Sequence, residues 1–152
     1  MKLTQLSLFL ENRPGALRLP CQVLGLAGID ILSMSLADTQ QFGILRIVVK
    51  DPDRARKVLE ESGCVVKATD VLAVEVPDRA GGLADMLGAF EGSGLSIEYI
   101  YPLAAGHRGK TAVLVLRVEG SAPSQVLVSL LDIAGRNGLT RYRIGTQLSK
   151  RR

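Results

Sequence analysis

The chain opens on strict alternation. Leu6, Leu8 and Leu10 interleave with Gln5, Ser7 and Phe9, the two-residue period of a strand with one face against a core. The period then lengthens. Leu17, Cys21, Leu24 and Gly28 recur at helical spacing, and the run stops at a glycine suited to a left-handed C-cap. This helix is expected to begin near Gly15, which puts Pro20 just past the first turn with a slight kink. Residues 29–37 and 42–50, rich in Ile, Leu and Val, flank the polar turn Asp38-Thr39-Gln40-Gln41 and read as a hairpin. A second helix over 53–62 carries Ala55, Val58, Leu59 and Ser62 on one face and closes at Gly63. A last strand begins at Cys64.

The same pattern then recurs. Leu10-Glu11-Asn12-Arg13-Pro14-Gly15-Ala16-Leu17 aligns with Val76-Pro77-Asp78-Arg79-Ala80-Gly81-Gly82-Leu83 at an offset of 66. The offset continues without a gap, setting Leu24 on Phe90 and Gly28 on Gly94. In the second copy Leu83, Met86, Leu87 and Phe90 predict a helix, followed by strands at about 95–103 and 110–119, a helix at about 122–136 and a strand at about 139–148. Each copy is βαββαβ, so the fold class is α+β with two tandem ferredoxin-like units, 1–69 and 70–152. Right-handed crossovers place both helices of such a unit on one face of a four-stranded antiparallel sheet. The other face is left for a partner, and Phe9, Leu32, Met34 and Leu36 are expected on it. Residues 65–76 contain neither Gly nor Pro, which excludes a flexible tether and suggests one long strand bent near Asp70.

Composition narrows the class. In 152 residues, 47% hydrophobic positions suffice for a real core, yet no stretch supplies the roughly 20 apolar residues of a membrane span. The first residues lack the apolar segment of a signal peptide, so a cytoplasmic location is expected. Cys21 and Cys64 stand far apart in apolar surroundings and read as buried thiols, with neither metal nor disulfide spacing. The net charge of +4 owes most of its excess to Lys150, Arg151 and Arg152. With Arg141 and Arg143 this basic end raises nucleic-acid binding as a reading, but RNA-recognition modules stack bases on aromatic side chains. The strand over 42–49 offers only Phe42, and the chain is 4% aromatic without Trp. Nucleic acid and membrane are therefore not expected as partners.

The catalytic inventory is thin. The sole imidazole, His107, lies in a polar stretch between two strands with no ligand-spaced Cys, Asp or Glu, which makes no metal or catalytic site. Glu60-Glu61 and Asp51-Pro52-Asp53 are explained by solvation and helix capping. No enzyme, metal or cofactor is expected. The repeated loop differs, because each copy joins a strand's end to a helix's start, where unpaired N–H groups and the positive end of the helix dipole converge. Small residues let a carboxylate approach such amides, while the side-chain oxygen of Asn12 or Asp78 can accept a hydrogen bond from an ammonium group. Together these features describe an α-amino acid. Plain N-caps and turn glycines would explain the same spacing.

The loop Asn12-Arg13-Pro14-Gly15-Ala16-Leu17 resembles the ACT domain family, small βαββαβ regulatory modules whose first loop reads Asn/Asp-Arg-Pro-Gly-Ala-Leu. Applied to both copies, the resemblance covers nearly the whole chain and implies a stand-alone tandem ACT protein with no catalytic domain. It also implies that amino acids bind where the first loop of one unit faces the second strand of a paired unit. By position, that implicates Asn12, Arg13, Pro14, Gly15, Ala16 and Leu17 with Glu98 and Tyr99. The second set is Asp78, Arg79, Gly81, Gly82 and Leu83 with Ser33 and Met34. The second copy departs from the pattern at Asp78 and at Ala80, which replaces the loop proline and leaves a looser loop. Tyr99 and Tyr101 alternate onto one strand face and read as packing or interface residues. The expected function is non-catalytic regulation through a free amino acid or similar small carboxylate. A homodimer and a metabolic enzyme, identity open, are the further expected partners. The alternative is a protein-docking module with degenerate ligand sites.

Overall fold

The computed structural model describes residues 2–39, 41–88, 90–91, 94–104 and 111–119. The second copy's expected helix at 122–136 and strand at 139–148, the His107 stretch and the basic end all lie outside the described residues. The elements run β1 (Lys2–Glu11), α1 (Arg18–Leu26), β2 (Ile31–Thr39), β3 (Phe42–Val49), α2 (Pro52–Glu61), β4 (Val65–Pro77), α3 (Gly82–Gly88), β5 (Ile97–Pro102) and β6 (Thr111–Val118). The chain divides into two compact units. One holds Thr4–Thr69; the other joins Met1–Leu3 to the chain from Asp70 onward. Strand β4 is uninterrupted across that division.

In the first unit the strand order is β2, β3, β1, β4. Leu6, Leu8, Leu45, Ile47 and Val49 from the sheet meet Leu24 of α1 and Ala55 and Leu59 of α2, so both helices cover one face. Full burial of such an aliphatic side chain is worth about 1.5–3 kcal/mol. Asp51 caps α2 by accepting from the Arg54 amide at 3.1 Å, with Pro52 at the helix start, where its missing N–H costs nothing. Arg54 also donates to the carbonyl of Ala27 at the end of α1, 2.6 Å away, tying the helices together. Glu60 pairs with Arg56 at 2.8 Å, a bond that raises the guanidinium's pKa, and Glu61 lies 4.0 Å from Lys57, as expected of acids on a solvated helix face.

The second unit is ordered β4, β6, β5. Its core gathers Leu72, Val74, Val76, Leu116 and Val118 with Met86 and Phe90. The repeat survives in three dimensions. Leu24 and Phe90 are both core residues, Gly28 and Gly94 take φ of +66° and +70°, and Gly15 and Gly81 take +83° and +84°. Leu6 faces Ile47 in one unit while Leu72 faces Leu116 in the other. The offset of 66 thus becomes 69 at the third strand, and the second hairpin is three residues longer.

Three expectations need correction. Helix α1 starts at Arg18 instead of near Gly15, because turn bonds from Ala16 N–H to Arg13 O and from Arg18 N–H to Gly15 O occupy the intervening residues. Pro20 consequently falls in the first turn, where its absent N–H has no intrahelical acceptor to lose. Met34 and Leu36 face Ile47 and Leu45, on the helix side of the sheet, not on the opposite face. A bulge between Ile31 and Ser33 inserts an extra residue, Leu32, and inverts the parity of everything after it; Phe9, opposite Ile44, keeps its expected side. On the face away from the helices Gln5, Ser7, Ser33 and Val48 are buried, with Gln5 Nε2 donating to Ser7 Oγ at 3.0 Å. Finally, Cys21 and Cys64 are free but half-buried instead of fully buried, and partial burial pushes the Cys64 thiol pKa up.

Candidate ligand-binding loops

The two strand-to-helix loops are built on one turn. At Gly15 and Gly81 the backbone takes a left-handed φ that any side chain would strain, turning the chain from the strand's end toward the helix. Bonds from Arg13 N–H to Glu11 O (2.9 Å) and from Arg79 N–H to Pro77 O (3.0 Å) repeat at the same position. So do those from Ala16 N–H to Arg13 O (3.2 Å) and from Gly82 N–H to Arg79 O (3.0 Å). Among the described residues, the amides of Gly15 and Leu17, and equally of Gly81 and Leu83, have no backbone acceptor. Two N–H donors at homologous positions are left in each loop at the start of a helix, and the second loop adds that of Ala80, where the first has Pro14.

Side-chain placement differs between the loops. In the first, Asn12, Arg13, Pro14 and Gly15 are exposed, Ala16 and Leu17 half-buried, and Leu17 packs on the first core. The Asn12 amide donates to Gln41 O at 3.0 Å, joining the loop to the first hairpin. Asn12 is not the N-cap of α1; that position is Leu17, which makes no side-chain cap bond, so capping does not account for Asn12. Arg13 Nε lies 2.9 Å from Glu11 Oε2, both well exposed. In the second loop Asp78, Arg79 and Gly81 are exposed, Gly82 is buried and Leu83 stands 44% exposed. Arg79 turns the other way, its Nη2 2.5 Å from Asp85 Oδ2 in the first turn of α3 and its Nη1 donating to Ala80 O at 3.1 Å.

The strand residues implicated by the resemblance are set by paired bulges. The shift between Ile31 and Ser33 recurs between Ile97 and Tyr99, at the same place in the repeat. Ser33 is buried and lies opposite Val48, whereas Met34, opposite Ile47, is 44% exposed on the other side of the strand; the two do not share a face. Glu98 is the residue inserted by the second bulge and lies 3.6 Å from Arg117 Nε. Arg117 Nη1 also donates to Asp70 O at 2.9 Å. Tyr99 stacks on Tyr101 with ring centroids 6.3 Å apart and planes 22° from parallel, the arrangement of a packed aromatic pair. Ser33 and Met34 belong to the unit of the first loop, Glu98 and Tyr99 to that of the second. Asp85 was not singled out by the sequence, although a carboxylate seven residues after Asp78 at a helix start is a readable signal.

Among the described residues no group of three His, Cys, Asp or Glu side chains is placed to hold a metal ion, and no helix is long and apolar enough to cross a membrane. Chemically, the loops offer hydrogen-bond donors and charges for a small polar ligand.

A family model described as an ACT domain pair matches residues 1–136. No curated protein matches the chain. Among solved structures, protein BT0572 from Bacteroides thetaiotaomicron is 32% identical, covering 91% of this chain and 90% of its own, with a TM-score of 0.76. The regulatory subunit of aspartate kinase from Thermus thermophilus, in its ligand-free form, is 16% identical over 88% of this chain and 91% of its own, with a TM-score of 0.63. That from Thermus flavus is 18% identical over 90% and 92%, also at 0.63. At that identity the two subunits share the fold.

Proposed function

We propose a non-catalytic, regulatory, amino-acid-binding role for this chain, which belongs to the ACT domain pair family. The two family units are read as 1–69 and 70–152. The observation that carries the reading is the loop turn itself: one left-handed glycine and two amides without a backbone acceptor, at homologous positions in both copies. A carboxylate satisfies such amides and gains from the helix dipole, and the Asn12 side-chain oxygen is of the type that accepts from an ammonium group. Arg13, Pro14, Gly15, Ala16 and Leu17 shape the first cradle, with Glu98 and Tyr99 of a paired unit facing it. Asp78, Arg79, Gly81, Gly82 and Leu83 shape its counterpart, with Ser33 and Met34. The regulatory subunits of aspartate kinase that share the fold support a regulatory output, exerted in the cytoplasm on a metabolic enzyme.

Binding couples to output if the ligand prefers one arrangement of paired units over another. A second copy of the chain is the natural pairing partner, because among the described residues β2 is an edge strand of the sheet, with Met34 and Leu36 exposed on it. The test is a thermal-shift screen of the whole chain against the standard amino acids. A ligand at a hundredfold its Kd adds about 2.7 kcal/mol, which raises Tm by roughly 5–10 °C at this size. Asn12→Ala should remove the first cradle's part of the shift. No shift from any amino acid would overturn the reading and favour a docking module, for which exposed Leu19, Leu26, Met34 and Leu36 supply an apolar surface.

A further inference from the structure

The two loops present the same pair of amides, yet their surroundings differ in three ways. At Gly15 a side-chain carbon would meet nothing within 4 Å, so the cradle is open to an incoming group. At the homologous Gly81 the same carbon would lie 3.6 Å from Arg79 Nη1, because the guanidinium is folded back over the loop. The second difference is charge. Helix α1 has no acid in its first turn, whereas α3 carries Asp85 there, and that carboxylate holds Arg79 at 2.5 Å. An Arg already neutralised by a carboxylate at the helix start has little left for a second anion, which the first would repel. The third difference is room. The position after the glycine is Ala16 in the first loop and Gly82 in the second, where a side-chain carbon would fall 2.1 Å from the carbonyl oxygen of Pro77.

We propose that the copies have divided their roles: the first loop alone takes the amino acid, and the second is closed from within by Arg79 and Asp85. This rests on the amino-acid-binding reading above. Arg13 does not close the first loop in the same way, because its partner Glu11 lies back on β1 and Gly15 stays uncovered. The second unit then serves as a structural partner, and the chain's response to ligand passes through one cradle.

Equilibrium dialysis of the whole chain against each labelled standard amino acid counts the ligand bound per chain. The expected result is a single amino acid per chain, lost in Asn12→Ala and kept within twofold affinity in Asp85→Asn. Amide resonances of Gly15 and Leu17 should move on titration, those of Gly81 and Leu83 should not, and this second readout does not depend on any variant's folding. A second equivalent per chain, or binding that persists in Asn12→Ala while the Gly81 and Leu83 amides move, overturns the division of roles and leaves amino-acid binding intact. No binding of any amino acid overturns the amino-acid-binding reading itself, and this proposal with it.

Discussion

The loops at 12–17 and 78–83 share their turn, their left-handed glycine and their backbone bonds, but Arg13 reaches back to Glu11 on the strand while Arg79 reaches forward to Asp85 on the helix. The residue that decides this lies outside the repeated motif: position 85 is Asp where the first copy has Leu19. Helix α3 begins at Gly82, two residues earlier in the repeat than α1 at Arg18, and so presses its first residue onto Pro77. A duplicated backbone device has been retained while its electrostatic surroundings diverged. Motif identity sets the turn, and the residues around it set the charges that surround it.

The sharpest break is at the close approach. Gly82→Ala drives a methyl group into the Pro77 carbonyl and should cost about 3 kcal/mol, read as a lower urea midpoint, since overpacking against backbone is not relieved by a rotamer change. Ala16→Gly, the reverse change in the first loop, should cost under about 1 kcal/mol. Next come the shared glycines. Gly15→Ala and Gly81→Ala should each cost about 1–2 kcal/mol for the left-handed conformation. Equal values support one turn in two places, and a neutral Gly15→Ala would break that equivalence.

Smaller effects test the charges. The pair between Arg79 and Asp85 is about half exposed, so a double-mutant cycle should return about 0.2–1 kcal/mol, diminishing with added salt. A coupling above that range would mean the pair is structural to α3. The smallest effect is on chemistry: burial raises the Cys64 thiol pKa, so less thiolate is present at pH 8 than in an unfolded reference, and alkylation should be slower than in a denatured sample. The sign follows from linkage. A folded pKa above the unfolded one contributes stability below the unfolded value, and this is lost as pH rises through the folded value. Equal alkylation rates in folded and denatured protein would contradict the burial.

Much of the fold was legible because the signals are local. Leu6, Leu8 and Leu10 mark a strand by alternation alone. Leu24 and Phe90, and Gly28 and Gly94, occupy equivalent places because an offset of 66 preserves their neighbours. The cap at Asp51 was readable for the same reason, its acceptor and the Arg54 amide being three residues apart. The helix start was not. The pattern around Leu17 continues a helical period backward, while the turn bonds at Ala16 and Arg18 compete for the same backbone and prevail.

What the chain's own order of residues determined is the repeat, the alternation of strand and helix, and the placement of two homologous glycine turns, each a matter of nearest neighbours and side-chain period. Tertiary structure alone decided which face Met34 and Leu36 take, because a bulge of a single residue inverts parity and is selected by the pairing of whole strands. It also decided the burial of Gln5, Ser7 and Ser33, which alternation alone does not set. And it decided the partners of Arg13 and Arg79, since a flexible guanidinium takes whichever carboxylate the fold brings within reach.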